Sequence, residues 1–282
     1  LIQYFINKPE IKKEDDKEDN KEDVDSTKKD KYKMSLDSAM IEIYDMAGKQ
    51  VRWFKTKVDS GLNRSKWYLD SEGVRYPNQR KPEKETSQRG GGMIMPGKYI
   101  VKVTYNEQTQ ETPLEVKYDP RMDFHQADYK KKMEKMDELN SKVKIATEAM
   151  DRIREAEKVM KKFVDYTDDE SQEKVKELNK EISDSLKTIK KIVNGESGGK
   201  QGIFRRPNTL NQNFGNVSYY IQSAKGAPTS NVDYQMKVCD QQLKELVDKT
   251  NEFFENDWKK YQEEMSKIQF EIFKNYDPIE IK

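Results

Sequence analysis

Apolar residues along this chain follow two different spacings. From Met34 to Tyr118, apolar and polar residues alternate in short segments, which is typical of half-buried strands. Beyond Pro120, apolar residues recur at steps of three and four, which is typical of amphipathic helices. The sequence therefore predicts a multidomain β + α chain, with a β-sandwich over residues 1–118 and an antiparallel bundle of about four helices over residues 119–282.

An opening strand and two β-hairpins are predicted in the first domain. The initial run "LIQYFI" is strand-like and needs a partner strand elsewhere. The first hairpin turns at residues 47–48, and its alternate strand positions are Ile41, Ile43, Asp45, Val51, Trp53 and Lys55. The second turns near residues 106–109, and one of its faces carries Tyr99, Val101, Val103, Leu114 and Val116. Between them, the Gly-, Pro- and charge-rich residues 70–97 predict a long surface loop that ends in a Pro-Gly turn.

Four helices are predicted in the second domain. The first runs from near Gln126 to Asp165, about 60 Å at 1.5 Å per residue, and its seam consists of Met136, Leu139, Val143, Ala146, Met150, Ile153 and Met160. The second begins after "YTDDES", ends at "NGESGGKQG" and carries Val175, Leu178, Ile182, Leu186, Ile189 and Val193. The third carries Leu210, Phe214, Val217, Ile221 and Ala224. The fourth carries Val232, Met236, Cys239, Leu243, Leu246, Phe253, Phe254, Trp258, Tyr261, Met265 and Ile268. Short connections between such helices favour antiparallel packing.

Composition and charge narrow the classes of function. Charged residues make up 37% of the 282 residues and hydrophobic ones 33%, which suits long helices with one apolar stripe better than a single thick core. The 53 basic and 52 acidic residues are interleaved, so no field of one sign would attract nucleic acid or an anionic membrane. No apolar run approaches the roughly 20 residues of a transmembrane helix, and the first residues do not resemble a signal peptide. We therefore expect no nucleic-acid binding and no membrane span.

A charged insert occupies residues 8–33. It offers almost nothing to bury, so we expect a flexible loop. Its stretch "DDKEDNKEDVD" has acidic groups at intervals that suggest calcium. The glycine of an EF-hand loop is missing, however, and lysines stand among the would-be ligands. The insert therefore does not predict a metal site.

Reactive side chains are few, and none stands in a recognisable catalytic pattern. His125, the only histidine, has Asp119, Arg121 and Asp123 near it in sequence, but this proximity does not show that any of them is held within reach. We expect a structural or solvated role for it. Cys239, the only cysteine, excludes an intrachain disulfide and falls on the seam of the fourth helix, where a small core hydrophobe is expected.

Three other features favour a structural explanation over a functional one. The run "RGGGM", residues 89–93, precedes a Pro-Gly turn and a strand, whereas a phosphate loop precedes a helix. The segment "RRPNTLNQNFGNVSYY" is aromatic enough to bind a partner, but its apolar spacing is that of a bundle helix. Among the 52 acidic residues, no pair has a local reason to be buried, so none is assigned to glycoside hydrolysis. We expect no catalytic, cofactor-binding or metal-binding residue in this chain.

Trp67 stands out in the polar stretch "VDSGLNRSKWYLD", residues 58–70. A single large aromatic in such a stretch predicts a strand that buries one ring against the facing sheet. Gly61 and Asn63 are expected to shape the turn that leads into it.

Four segments of the first domain resemble a known family. "IEIYDMAGKQVRWF", "GLNRSKWYL", "MPGKYIVKV" and "PLEVKYDPR" resemble the immunoglobulin-like domain of flagellar hook-capping proteins, which also occurs at the ends of many secreted bacterial proteins. In that pattern, Asp-x-x-Gly-x-x-Val-Arg is followed by Gly-x-Asn and a Trp, and then by a Pro-Gly-x-Tyr turn. The matching positions here are Asp45, Gly48, Val51, Arg52, Gly61, Asn63, Trp67, Pro96, Gly97 and Tyr99.

The order of the whole chain carries a second resemblance. From "IQYFI" through Asp119-Pro120-Arg121 to "NTLNQNFGNVSYYIQSAKGAPT", it resembles the C-terminal region of Bacteroidetes-type sortilin-like or glycosyl-hydrolase-like (BNR) β-propeller proteins. The charged insert departs from the short first loop of that family. The resemblance implies an immunoglobulin-like β-sandwich and a helical tail in a cell-envelope or secreted protein. The propeller, on which any glycosidase label of the family rests, does not lie within these residues.

Three functions follow as hypotheses. The first is a non-catalytic scaffold and protein-interaction region whose partners are its own propeller or envelope proteins. The second is an accessory module that holds substrate for a glycan- or peptide-cleaving enzyme, and this would require exposed, coplanar aromatic rings. The third is a coiled-coil oligomeriser that uses the seam of residues 136–160. Because the chain begins at Leu1, we also expect it to be a piece of a longer polypeptide, which an intact-mass measurement on native material would check.

Overall fold

The computed structural model describes residues 1–8, 37–88, 90–121, 125–167, 171–195 and 208–268, and it shows a mixed α+β chain. The chain forms two compact units. The sheet unit consists of Leu1–Gly73 and Lys84–Phe124, and the helical unit consists of Val74–Glu83 and His125–Lys282. Apart from Lys8, the charged insert and its acidic stretch lie outside the described residues.

The sheet unit contains two antiparallel sheets. One is four-stranded, in the order β3-β2-β5-β6, and the other is the two-stranded pair β1-β4. The strands are β1 (Ile2–Ile6), β2 (Ser38–Asp45), β3 (Gln50–Lys57), β4 (Gly61–Ser65), β5 (Gly97–Tyr105) and β6 (Gln108–Val116). The opening run therefore forms a strand, as predicted, and its partner is β4.

The first predicted hairpin is confirmed as β2–β3. Asp45 Oδ1 accepts hydrogen bonds from the backbone N–H groups of Ala47 and Lys49, both at 2.9 Å, and Gly48 has a φ of +80°. The register pairs Ile43 with Arg52 and Ile41 with Phe54. The face of β3 that continues the buried face of β2 therefore carries Arg52 and Phe54, and the predicted alternate positions Val51, Trp53 and Lys55 lie on the other face.

The second predicted hairpin is confirmed as β5–β6, with a tighter turn than expected. The turn consists of Asn106 and Glu107, whose φ angles of 44° and 67° are both positive. Two left-handed residues give the two-residue hairpin turn that matches the twist of the flanking strands. Because the turn is so short, β6 begins at Gln108, inside the range predicted for the turn.

Trp67 is buried in the core of the sheet unit, with only 7% of its surface exposed. Its Nε1 donates to the carbonyl of Asp70 at 2.9 Å, and its ring meets the Tyr99 ring edge to face at 6.0 Å. The strand in this stretch ends at Ser65, so Trp67 follows a strand and does not lie within it. The predicted turn is present, because the Asn63 side chain binds the N–H of Asp59 at 2.9 Å and its carbonyl at 2.7 Å.

Both sheets contribute to the core around Trp67. Ile2 and Tyr4 of β1 pack against a cluster that includes residues of β2 and β5, and Tyr4 also bonds through its hydroxyl to Ser65 of β4 at 2.8 Å. The buried members of the cluster are Ile41, Ile43, Trp67, Ile94, Tyr99, Val101 and Val116.

The helical unit follows the predicted pattern closely. Its helices are α1 (Gln126–Asp165), α2 (Gln172–Asn194), α3 (Leu210–Ser223), α4 (Ser230–Glu252) and α5 (Trp258–Met265), and a π-helical turn (Phe253–Asp257) joins α4 to α5. All the predicted seam residues of α1 are buried in one apolar core. Four of the other predicted residues are half-buried at its margin: Leu178, Phe254, Trp258 and Ile268. No helix in the described part of the chain is long and apolar enough to cross a lipid bilayer.

A segment from the predicted surface loop belongs to the helical unit. This inserted segment, Val74–Glu83, leaves the sheet unit after Gly73 and returns to it at Lys84. Val74 and Tyr76 pack against the margin of the helical core, and burial is the main cause of the raised pKa of Tyr76. The expectation of a plain surface loop is therefore wrong for these residues.

Hydrogen bonds fix the inserted segment to α1. Arg75 donates to both carboxylate oxygens of Asp151, to Oδ1 at 3.0 Å, and its carbonyl accepts from Thr147 Oγ1 at 2.8 Å. Arg154 donates to the carbonyl of Pro77 and, at 3.1 Å, to Asp151. Both Arg75 and Asp151 are largely buried, so this is the kind of paired, bidentate contact that fixes a local geometry.

Candidate protein-interaction surface

His125 directly precedes α1 and is exposed. Its backbone carbonyl accepts from the N–H of Asp128 at 3.0 Å and that of Tyr129 at 3.2 Å, so its position starts the helix. Asp119 is bound to Arg121, and this bond lowers the pKa of Asp119. In the described part of the chain, no acidic or nucleophilic group bonds to the His125 ring. His125 therefore lies exposed at the first residue before α1.

Cys239 lies in the core of the helical unit and is fully buried. Burial, with a smaller contribution from Asp240, raises the pKa of its thiol to about 12. A thiol that stays protonated is a poor nucleophile and a poor metal ligand. Cys239 therefore packs as a small apolar residue, which agrees with its place on the α4 seam.

The glycine run of residues 90–92 packs beside residues 69–71, which follow Trp67 in the sequence. The carbonyl of Gly92 accepts from the N–H of Ser71 at 2.8 Å, and Ile94 donates to the carbonyl of Leu69 at 2.9 Å. A Cβ added at Gly91 would lie 2.1 Å from the Ser71 carbonyl oxygen. Close approach of two backbones therefore explains Gly91, and a φ of +90° explains Gly90, while Arg89 lies outside the described residues.

Arg52 is a buried charge that the sequence pattern did not single out as a site. Its guanidinium donates to Glu72 Oε2 at 3.3 Å and to the carbonyl of Gln88. Glu72 accepts in turn from the N–H of Gln88. Burial raises the pKa of Glu72 by more than the bond from Gln88 and the charge of Arg52 lower it, so the pKa lies above its ordinary value. The cluster ties the loop on both sides of the inserted segment to β3, which is a structural role.

The outer face of the β1–β4 sheet carries an exposed apolar cross-strand pair beside the polar pair Gln3–Arg64. Phe5 and Leu62 stand directly opposite each other across the two strands and are 74% and 63% exposed. Leu1, on the same side of β1 as Phe5, is also exposed. The other side of β1 carries Ile2, Tyr4 and Ile6, which pack into the unit. An exposed apolar pair with a polar border is typical of surfaces that a partner covers.

A groove of about 440 Å³ runs along an edge of the same strand, and side chains of both faces of β1, Phe5 among them, contribute to its lining. It is lined by residues 1–7, by Val101, Val103 and Tyr105 of β5, and by residues of β6. Because β4 does not line it, the groove follows the edge of β1 that faces away from β4. Among the described strands, β1 pairs with β4 alone.

The floor of the groove is the inner face of β6. Gln108, Gln110 and Thr112 stand opposite Tyr105, Val103 and Val101, so they share the side of the sheet that faces β1. All three are exposed, because β1 and β4 do not reach far enough to cover them. None of the described residues that line the groove is Asp, Glu, Lys or Arg.

A second concavity, of about 340 Å³, lies in the helical unit between α2 and the stretch that includes α5. Its charged lining residues are Glu181, Asp257, Lys260 and Glu264. Tyr261, also in the lining, donates to Asn179 Oδ1 at 2.7 Å, and burial raises its pKa to about 12. In the described residues there is no cluster of His, Cys, Asp and Glu suited to holding a metal ion.

Exposed aromatic rings do not form a flat platform in the α3 region. Tyr219 and Tyr220 lie 5.9 Å apart between ring centroids, but their planes meet at 61°. A sugar ring stacks on coplanar aromatic faces, which this edge-to-face pair does not offer. The tryptophans Trp53 and Trp258 are half-buried, and Trp67 is buried.

Comparisons with protein-family models, with curated proteins and with solved structures found no match to the chain. The surface around β1 and the resemblance described from the sequence are therefore the observations on which a function is proposed.

Proposed function

We propose that the chain is a non-catalytic scaffold and protein-interaction region, made of an immunoglobulin-like β-sandwich and a helical bundle, at the C-terminus of a larger cell-envelope or secreted β-propeller protein. The resemblance of its sequence supports the architecture and the location. Its partners are its own propeller or envelope proteins.

The exposed Phe5–Leu62 pair is the observation that carries this proposal. In a chain of which 37% is charged, these side chains form an apolar cross-strand pair on the solvent side of a two-stranded sheet. Their burial by a partner would contribute about 25 cal/mol per Å² of apolar surface. Aromatic side chains of this kind often supply the central contacts of a protein interface.

The other two hypotheses have less support. A glycan-holding module would present coplanar rings, and the Tyr219–Tyr220 pair is not coplanar. A coiled-coil oligomeriser would leave the seam of α1 free, whereas Met136, Val143 and Met150 are buried within the helical unit of a single chain. The scaffold function is therefore the one that the surface favours.

Site-specific crosslinking in the source organism's envelope tests the proposal. Phe5 is replaced in the full chain by a photoreactive phenylalanine analogue, and the same analogue replaces Tyr68 as a control, since Tyr68 is similarly exposed at 67%. We expect a discrete protein adduct from position 5 and none from position 68. The adduct should be lost when Leu62→Ser is added, because that change removes the neighbouring apolar surface.

A glycan array probed with the full chain supplies the opposing outcome. Specific glycan binding together with a blank crosslinking experiment would overturn the scaffold proposal and favour the accessory module. Equal adducts from positions 5 and 68 would show that the apolar pair has no special role.

A further inference from the structure

The geometry points to strand addition at β1: an uncharged, extended segment of a partner protein pairs with the free edge of β1 and lies in the groove over β6. This inference rests on the proposed function and names the class of partner segment. It uses the groove, which Phe5 borders, and its own test residue Gln110 lies on β6, whereas the proposed function rests on the Phe5–Leu62 pair.

The free edge of β1 supplies the hydrogen bonds. Among the described strands β1 pairs with β4 alone, and a five-residue strand paired on one side presents about half of its backbone N–H and C=O groups on the other. Such an edge is a template for another strand, and natural sheets usually protect it with a charge, a proline or a bulge. The sequence of β1, IQYFI, contains neither a charged residue nor a proline, and its register with β4 is regular.

The uncovered part of the larger sheet supplies the space. Neighbouring strands lie about 4.8 Å apart, so a third strand beside β1 would lie over the row Gln108, Gln110 and Thr112. That row is exposed on the side of the sheet that otherwise faces β1. A strand in this position would bury side chains of one alternate set against the row, and these side chains need to be uncharged and compatible with amide and hydroxyl groups.

The charge pattern selects the partner. In a chain where 53 basic and 52 acidic residues are spread through the sequence, the described lining of the groove has none of either kind. A charged side chain entering it would lose hydration and find no opposite charge to bind. An uncharged segment therefore matches the groove, and the recognition mode is addition of a strand to a sheet edge.

Binding of a defined peptide to the full chain tests the inference. The probe is the capped heptapeptide acetyl-Thr-Val-Thr-Val-Thr-Val-Thr-amide, and its affinity is measured by isothermal titration calorimetry and by amide chemical-shift changes. We expect saturable binding with shifts confined to β1, β5 and β6. Two matched probes carry N-methyl groups on the odd or on the even residues, and one of them should lose binding because it cannot donate to the β1 edge.

Paired variants on β6 locate the site. Gln110→Glu places a charge in the groove and should weaken peptide binding at least about tenfold. Thr109→Glu, one residue away on the opposite face of the strand, should change binding less than about twofold. Both positions are exposed, so unchanged melting temperatures are expected to show that neither variant disturbs the fold.

Each outcome decides between the two ideas. If no peptide binds, or if Gln110→Glu and Thr109→Glu behave alike, strand addition is wrong, and a protein adduct at position 5 would leave the scaffold proposal standing. If the peptide binds as described but the adduct at position 5 is absent or survives Leu62→Ser, the groove recognises strands and the Phe5–Leu62 pair is not the partner surface.

Discussion

Trp67 and Gly91 represent opposite steric demands within the sheet unit. The Trp67 ring fills space between the two sheets and satisfies its N–H group on the carbonyl of Asp70. Gly91 is required because the Ser71 backbone occupies the volume that a Cβ would take. Both residues fix the same irregular region, since residues 69–73 lie between the ring and the glycine run.

Replacing Trp67 should be costly. We expect Trp67→Ala to lower the free energy of unfolding of the sheet unit by about 3–5 kcal/mol, because it empties a large aromatic site and breaks the contact with Tyr99. Tyr68→Ala, next to it and exposed, should change that energy by less than about 0.5 kcal/mol. Urea unfolding followed by circular dichroism measures the free energy of unfolding of each variant, and thermal unfolding gives its melting temperature. A melting temperature of Trp67→Ala within about 2 °C of wild type would show that the ring does not anchor the core.

Replacing Gly91 should also be costly, for a different reason. In Gly91→Ala the new methyl group would lie 2.1 Å from a backbone oxygen, so the two segments must move apart. We expect a loss of about 1–3 kcal/mol, the range for overpacking. The control is Gly97→Ala, where nothing lies within 4 Å of the added atom and a change below about 1 kcal/mol is expected. Equal losses at the two positions would contradict the close approach.

At the scale of elements, the inserted segment and α1 depend on each other. Thr147, Asp151 and Arg154 recur on one face of α1 at steps of four and three, and all three bind the inserted segment. The same helix carries the apolar seam on its adjoining face. One helix therefore fixes both the bundle core and a segment that is distant in sequence.

A double-mutant cycle measures this dependence. We expect a coupling energy of about 1–3 kcal/mol between Arg75→Ala and Asp151→Ala, because the pair is bidentate and largely buried. The matched control is Arg152 with Glu148 on the same helix, an exposed ion pair for which about 0.5 kcal/mol or less is expected. A coupling no larger than that of the control pair would mean that Arg75 and Asp151 meet without stabilising the helical unit.

Across the whole molecule, stability should depend on pH through Asp151. Its burial alone would raise the pKa, but bonds from Arg75 and Arg154 outweigh burial and lower the pKa below its ordinary value of 3.8. A carboxyl whose pKa is lower in the folded state stabilises the fold above its unfolded pKa, and that contribution is lost as the pH falls through the folded value. The stability of the helical unit should therefore fall as the pH drops below about 4.

The variant Asp151→Asn checks this prediction. It should be less stable than wild type at pH 7 and should show a shallower loss between pH 5 and pH 2 in urea unfolding series. Asp184→Asn is the control, since Asp184 also has a lowered pKa, caused by its bond to Lys187, but is solvent-exposed. An acid dependence that is the same in wild type and Asp151→Asn would assign the effect to other carboxylates.

The sequence predicted those parts of the fold whose signals are local. The bounds of α1 were predicted near Gln126 and Asp165, and its seam repeats at helical spacing from Met136 to Met160. The hairpins were predicted because apolar and polar residues alternate on both sides of each turn. The register of β3 was not, because Val51, Trp53 and Phe54 place large apolar side chains on both of its faces. Tertiary pairing decided which face became buried.

The surface around β1 could be predicted only in part. The run "LIQYFI" has apolar residues on both faces, so a strand was clear while its exposed side was not. The groove depends on how far β1 and β4 cover the larger sheet, and no local pattern reports that extent. Likewise, Val74 and Tyr76 alternate as strand residues do, but their partners lie on helices much later in the chain.

The inserted segment has a consequence for how the chain is made. Arg75 leaves the ribosome 76 residues before Asp151, to which it binds. At about 5–20 residues per second, that interval is roughly 4–15 s, during which the surrounding strands can begin to pair while Val74 and Tyr76 remain without their helical neighbours. The inserted segment is therefore translated together with the sheet unit's loop but reaches its final contacts only after the helices that follow have been made.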